Sequence, residues 1–144
     1  MARAFELASL HRTHPNPRVG ALIVNQGEIV GEGSHQGPGH AHAEVIAIEA
    51  AGDKARGAEL YVSLEPCNHQ GRTPPCVDAI LEAGLQRVIV GIEDPDERVR
   101  GSGISRLRAA GVDVEVWREP DRAEEVDPGY FHHRRTGLPR VVAK

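Results

Sequence analysis

Aromatic side chains are scarce in this chain: one Trp, two Tyr and two Phe in 144 residues. Proteins that hold single-stranded nucleic acid stack bases on several aromatics, so that class is disfavoured. Positive charge is also thin. Seventeen Lys and Arg against 21 Asp and Glu leave a formal charge of −4, which offers no broad surface to a duplex phosphate backbone. A short basic run, "FHHRRTGLPR" at 131–140, is weak evidence to the contrary. No apolar stretch approaches the roughly 20 residues of a membrane helix. The N-terminal "MARAFELASLHRTH" lacks the apolar centre of a secretory signal. A cytoplasmic protein without nucleic-acid or membrane partners is therefore expected. Only two cysteines are present, Cys67 and Cys76. So sparse a pair inside a cell serves metal or chemistry more often than a disulfide.

No repeat, low-complexity tract or linker interrupts the sequence, and its length suits one domain, 1–144, with a real core. "ARAFELASL" has helical spacing, with Phe5 and Leu7 to Leu10 expected inward. "HPNPRVG" breaks the helix, because two prolines flank Asn16. "VGALIV" and "EIVGEGS" read as strands of a hairpin joined by "NQG". "AEVIAIEAAG" is a helix with Gly52 as its expected stop. A strand at 58–65 leads through a proline-rich loop to a helix at 75–84, with Pro75 in its first turn. Strands at 87–93 and 112–117 flank the helix "SGISRLRAAG". A last helix is expected through "DRAEEVDPGYFHH", interrupted by Pro128 and Gly129. Strands alternating with helices imply an α/β layered fold. A helix between the last two strands implies that they run parallel. The expectation is a mixed five-stranded sheet with helices on both faces.

Catalytic zinc takes three protein ligands and keeps one position open. His42, Cys67 and Cys76 offer one imidazole and two thiolates, each at an expected loop-to-helix junction. The partial positive charge of a helix N-terminus favours thiolates there. Glu44 lies two residues beyond His42. In mid-helix that spacing points residues apart. At a first turn, with the ion off the helix end, His42 can be ligand while Glu44 acts as base. Zinc nucleobase deaminases carry this order: H-x-E, then P-C, then a second cysteine, with the glutamate not a ligand. Here it reads "HAE" at 42–44 and "PC" at 66–67, with eight residues between Cys67 and Cys76. Taken singly, such a His is usually a satisfied surface residue and such a Cys a small buried hydrophobe. The ordered conjunction is what points to a metal site.

Several segments together carry a resemblance: "HPNPRVGALIV", "HAEVIAI", "GAELYVSLEPCNHQGRTPPC", "AILEAGLQRVIVGIEDPD" and "RRTGLP". The chain resembles the deaminase domain of the bifunctional riboflavin-biosynthesis deaminase/reductases, within the cytidine-deaminase-like superfamily. The resemblance implies a three-layer α/β/α fold, Zn2+ held by His42, Cys67 and Cys76, and proton shuttling by Glu44. It implies Asn16, His35, His69 and Arg72 as substrate contacts. The implied substrate is a pyrimidine nucleotide, 2,5-diamino-6-ribosylamino-4(3H)-pyrimidinone 5′-phosphate. A guanidinium at Arg72 suits a phosphate, which it can pair bidentately. The tail at about 131–144 resembles the lead-in to a reductase, so a fused or separate reductase is an expected partner, and a homo-oligomer is expected. Asp96 stands where that family usually has Asn, an added negative charge unhelpful to a phosphate. "GSGISR" lacks the third glycine of a dinucleotide fingerprint and reads as the start of a helix. Competing readings are a deaminase of cytidine, deoxycytidylate, guanine or the wobble adenosine of transfer RNA, and a non-catalytic zinc module.

Overall fold

In the computed structural model, which describes residues 1–143, the elements alternate much as the sequence pattern predicts. They are α1 (Ala2–Ala8), β1 (Gly20–Asn25), β2 (Glu28–Ser34), α2 (Ala43–Ala51), β3 (Glu59–Leu64), α3 (Cys76–Glu82), β4 (Arg87–Ile92), α4 (Ser102–Ala109), β5 (Asp113–Val116), α5 (Pro120–Val126) and α6 (Pro128–Thr136). The sheet order is β2-β1-β3-β4-β5. β1 is antiparallel to both neighbours, while β3, β4 and β5 run parallel. Gln26 and Gly27 both have positive φ, 50° and 80°, the turn that matches the twist of a two-residue hairpin.

The sheet is mixed, so β2, β3, β4 and β5 all point the same way. Right-handed crossovers between such strands place their helices on one face. α2, α3 and α4 share it: Ala43, Ala47, Val77, Ile80, Ile104 and Leu107 pack there on Ile23, Leu60, Val62, Val88 and Val90. Residues of opposite parity on β1 turn to the other face, where Leu22 meets Ala4 and Leu7 of α1. Phe5, Ala123 and Phe131 bring α1, α5 and α6 together on that side. These are the three expected layers.

α2 lies unusually close to β2. A Cβ on Gly33 would overlap the carbonyl oxygen of Ala43 and stand 2.7 Å from the Ala47 nitrogen. One on Gly31 would overlap the carbonyl of Ala47 and stand 2.8 Å from the Ala51 nitrogen. The alanines at 43, 47 and 51 form one face of the helix, so two small-residue surfaces meet backbone to backbone.

Gly52 caps α2 as expected, with φ of 55°, and opens a 3₁₀ turn, Gly52–Ala55. Two expectations need correction. Leu10 is exposed rather than inward, because α1 stops at Ala8 and the chain has already turned. The last helix is two. Pro128 has no N–H and cannot continue α5, while the Asp127 carboxylate accepts the Tyr130 N–H at 3.2 Å and caps α6.

Candidate metal centre and active site

The fold gathers helix N-termini at the carboxyl edge of the parallel strands, where open α/β sheets place their ligand crevices. α2 follows β2, α3 follows β3 and α4 follows β4. His42 is the residue immediately before α2, Cys76 is the first residue of α3, and Cys67 follows β3 by three positions. The three candidate ligands, 34 residues apart at the extremes, thereby converge.

His42 Nδ1 lies 3.0 Å from Cys76 Sγ and 3.6 Å from Cys67 Sγ. All three ligand atoms lie within 4.8 Å of one another, and no other such cluster occurs among the described residues. The backbone N–H of Cys76, free at its helix start, donates to Cys67 Sγ at 3.2 Å. Ordinary zinc–nitrogen and zinc–sulfur lengths at a tetrahedral ion separate such atoms by about 3.5–3.8 Å. The donor set therefore fits zinc; His42 and Cys67 already stand at that spacing, and the shorter contact between His42 and Cys76 would open on binding.

Charge is distributed unequally here. Hydrogen bonds from Cys76 and His42 lower the Cys67 thiol to about 4. Cys76 is pushed far up, because its proton is shared with that thiolate and because it is buried. His42 is raised, chiefly by its hydrogen bond with Cys67. Its ring nitrogen is nearer to Cys76, yet Cys67 is the partner that carries charge. Glu44 is only 3% exposed. Burial, and then the neighbouring Cys67 thiolate, push its carboxyl up to about 7. A buried carboxyl poised near neutrality can both take and give a proton.

His42, Glu44 and Cys67 open onto a cavity of about 510 Å³ that also holds Asn16, His35 and His69. His35 is buried, and burial lowers its pKa. Its Nδ1 faces the Ala41 carbonyl at 3.1 Å, which can only accept, so Nδ1 carries the proton. Its Nε2 then accepts from Asn16 Nδ2 at 3.0 Å. The neutral His35 ring stands edge-on to His42, 5.2 Å between centroids. Arg72 is elsewhere: it lines a neighbouring cavity of about 410 Å³, which shares Asn16, His42, Cys67 and His69 with the first and also contains His40.

The far wall of the main cavity is formed by residues that the sequence reading did not assign. Asp94, Asp96, Arg98, Tyr130 and Arg134 all line it. Tyr130 donates its hydroxyl to Asp94 at 3.3 Å, and the Arg134 guanidinium lies 5.2 Å above the Tyr130 ring. Asp96 is not the bare negative charge that the sequence suggested. Arg98 pairs with it at 2.6 Å and Arg134 at 3.3 Å. Arg98, first of all, holds its carboxyl well below the usual range. The signal available in the sequence was the basic run from 131, which contains Arg134, but nothing local ties it to the loop at 94–98.

The family profile described as cytidine and deoxycytidylate deaminase zinc-binding region matches residues 1–92. The riboflavin biosynthesis protein RibD of Escherichia coli (strain K12) is 51% identical over 146 residues, spanning 100% of this chain and 40% of that protein. A diaminohydroxyphosphoribosylamino-pyrimidine deaminase of Buchnera aphidicola subsp. Schizaphis graminum is 45% identical, covering 96% of each chain. Among solved structures, Acinetobacter baumannii RibD superposes with a TM-score of 0.91 at 44% identity, over 96% of this chain and 40% of that one. The chain thus spans about 40% of the length of several curated relatives and nearly all of the Buchnera one.

Proposed function

The chain belongs to the family of deaminases that share the cytidine and deoxycytidylate deaminase zinc-binding region, and from that premise we propose that it deaminates 2,5-diamino-6-ribosylamino-4(3H)-pyrimidinone 5′-phosphate by hydrolysis. One observation carries the chemistry: a buried carboxyl, Glu44, beside a His42–Cys67–Cys76 cluster in a substrate-sized cavity. The substrate is supported by the likeness to the Buchnera deaminase along almost its whole length.

In this reading His42, Cys67 and Cys76 hold zinc. Bound zinc supplies Lewis acidity that brings the pKa of water toward neutrality. The Glu44 carboxylate accepts the proton of the attacking water and delivers it to the ring nitrogen. The new C–O bond forms at the carbon bearing the exocyclic amine. Glu44, again a carboxylate, then takes the proton of the newly added hydroxyl and gives it to that amine; the C–O bond becomes a carbonyl, the C–N bond breaks and ammonia leaves. Neutral His35 fixes Asn16 through Nε2, so the Asn16 side chain meets the substrate in one orientation. His69 stands where the two cavities join. Arg72 takes the phosphate from the second cavity, where its guanidinium can form two parallel hydrogen bonds. The product passes to a reductase, fused or separate, and the enzyme works in the cytoplasm as a homo-oligomer.

The test is ammonia release by the zinc-loaded protein from this compound, with cytidine, deoxycytidylate and guanine in parallel. Release from the first alone is expected. Release only from another base would overturn the substrate and keep the chemistry. Silence on all four, with one zinc per chain, would overturn the enzymatic reading.

A further inference from the structure

Glu65 is buried, 6% exposed, two residues before Cys67, and its carboxylate spans the gap between the cysteine loop and the far wall of the cavity. Oε2 accepts from the backbone N–H of Asp94 at 3.1 Å and of Gly101 at 3.0 Å. Oε1 accepts from Gly103 at 3.1 Å and Ile104 at 3.3 Å. A carboxylate offers about four acceptor sites, so none is left for a substrate although Glu65 lines the cavity. It therefore does not act on the reacting atoms.

What it holds is specific. Three of the four donors belong to the start of α4, at Gly101, Gly103 and Ile104, and the fourth opens the loop at 94–101. That loop carries Asp94, Asp96, Arg98 and Val99 into the cavity. The glycines make the approach feasible. Gly101 has φ of +78°. A Cβ on Gly103 would overlap the carbonyl of Pro66, the residue next to Glu65, while standing at ordinary contact, 3.5 Å, from Glu65 Oε1. "GSG" at 101–103 is thus the seat of a carboxylate from the residue just after β3 rather than a nucleotide fingerprint. By contrast, His42, Glu44 and Cys76 are held by α2 and α3, with no contribution from these four hydrogen bonds.

We infer that Glu65 is a positioning residue for substrate recognition: it locks the 94–101 loop at a fixed distance from the metal-ligating cysteine loop, and so sets the cavity wall that faces the substrate. The inference rests on the deaminase reading for its kinetic arm. Two substitutions approach the contact from opposite sides. Glu65→Gln keeps the shape but turns an amide NH2 toward at least one pair of backbone N–H groups, leaving donors facing donors. Gly103→Ala leaves the carboxylate intact but, by its clash with the Pro66 carbonyl, pushes the start of α4 away from the 65–66 backbone and so off that carboxylate.

The experiment measures zinc content, KM and kcat for ammonia release, and amide hydrogen exchange across 94–104 in both variants and the parent. Expected are one zinc per chain, KM raised at least tenfold, kcat lowered less than about threefold, and faster exchange confined to 94–104. A change confined to kcat, or KM within twofold of the parent, overturns the inference. So does loss of zinc in both variants, which would make Glu65 part of the metal scaffold. If the parent releases no ammonia from any of the four compounds, the deaminase reading fails by itself. Exchange at 94–104 together with zinc content then decides whether Glu65 locks the loop, and unchanged exchange there refutes that lock.

Discussion

Gly33→Ala adds a single methyl group nine residues before His42, and its consequences should reach the candidate metal centre. In the present packing that methyl overlaps the Ala43 carbonyl and sits 2.7 Å from the Ala47 nitrogen. Both atoms are backbone, so no rotamer change relieves them; α2 must move away from β2. Gly33 has an ordinary extended backbone, so the substitution also removes unfolded-state freedom, a gain of about 0.4–1 kcal/mol. Overpacking of a well-filled interior costs about 1–3 kcal/mol. With the clash directed at two backbone atoms, the upper part of that range applies, and the net loss is about 2 kcal/mol. For a chain of this size that lowers Tm by roughly 4–8 °C. The displacement also carries His42 and Glu44, at the start of the same helix, off their register with Cys67 and Cys76, so zinc affinity should fall together with stability. Gly129→Ala is the control: nothing lies within 4 Å of its added methyl, and in α6 alanine is the better helix former. Thermal unfolding with and without a chelator, beside a zinc-competition titration, reads both effects. If Gly33→Ala melts with the control and holds zinc as tightly as the parent, then α2 is not seated by this contact and the reasoning fails.

Glu44→Gln should retain zinc and the fold yet lose about 10²–10⁴ in kcat, the range for a lost general acid–base group; near-parental turnover would remove Glu44 from the proton path. Cys67→Ala or Cys76→Ala should abolish stoichiometric zinc binding and lower stability, and a variant still holding one zinc per chain by elemental analysis would break the ligand assignment. Asp94 supplies a pH test. Burial, the largest influence, raises its carboxyl above the ordinary 3.8. Between that value and the folded one the native state binds more protons than the unfolded chain, so stability falls as pH rises through the window. Asp94→Asn removes this fall. Its stability relative to the parent, from urea unfolding at stepped pH, should therefore increase from pH 3.5 upward; a constant difference would contradict the burial argument.

The C-terminal region separates what local chemistry dictates from what packing adds. Pro128 signals a break wherever it stands, so an interrupted helix was legible, but the two-helix outcome depends on Asp127. Its Oδ1 caps α6 at the Tyr130 N–H, and its Oδ2 accepts the Arg18 N–H at 2.9 Å, across 109 residues. That second bond ties α6 to the segment carrying Asn16, and no sequence window contains both. Leu10 illustrates the opposite error: helical periodicity was extended past the last helical residue, although beyond Ala8 only a closing turn follows, with the Leu10 N–H on the Leu7 carbonyl at 3.2 Å.

By itself the sequence determined the alternation of strands and helices, the parallel run of the last strands and the choice of His42, Cys67 and Cys76, which the fold brings into one cluster. Each of these rests on short-range rules: side-chain periodicity, turn residues, and the order of His42, Glu44, Cys67 and Cys76 at helix starts. Tertiary structure alone decided the rest of the site. The crossovers brought Asp94, Asp96 and Arg98 opposite Tyr130 and Arg134, so that two guanidinium groups neutralise the carboxylate of Asp96. The bend of the cysteine loop put Arg72 in the adjoining cavity. Glu65 found three of its four donors at the start of α4, the first of them at Gly101, 36 residues later, and the fourth at Asp94. Charge pairing and hydrogen bonding depend on distance in space, and spacing along the chain does not reveal that distance when the partners come from different crossovers.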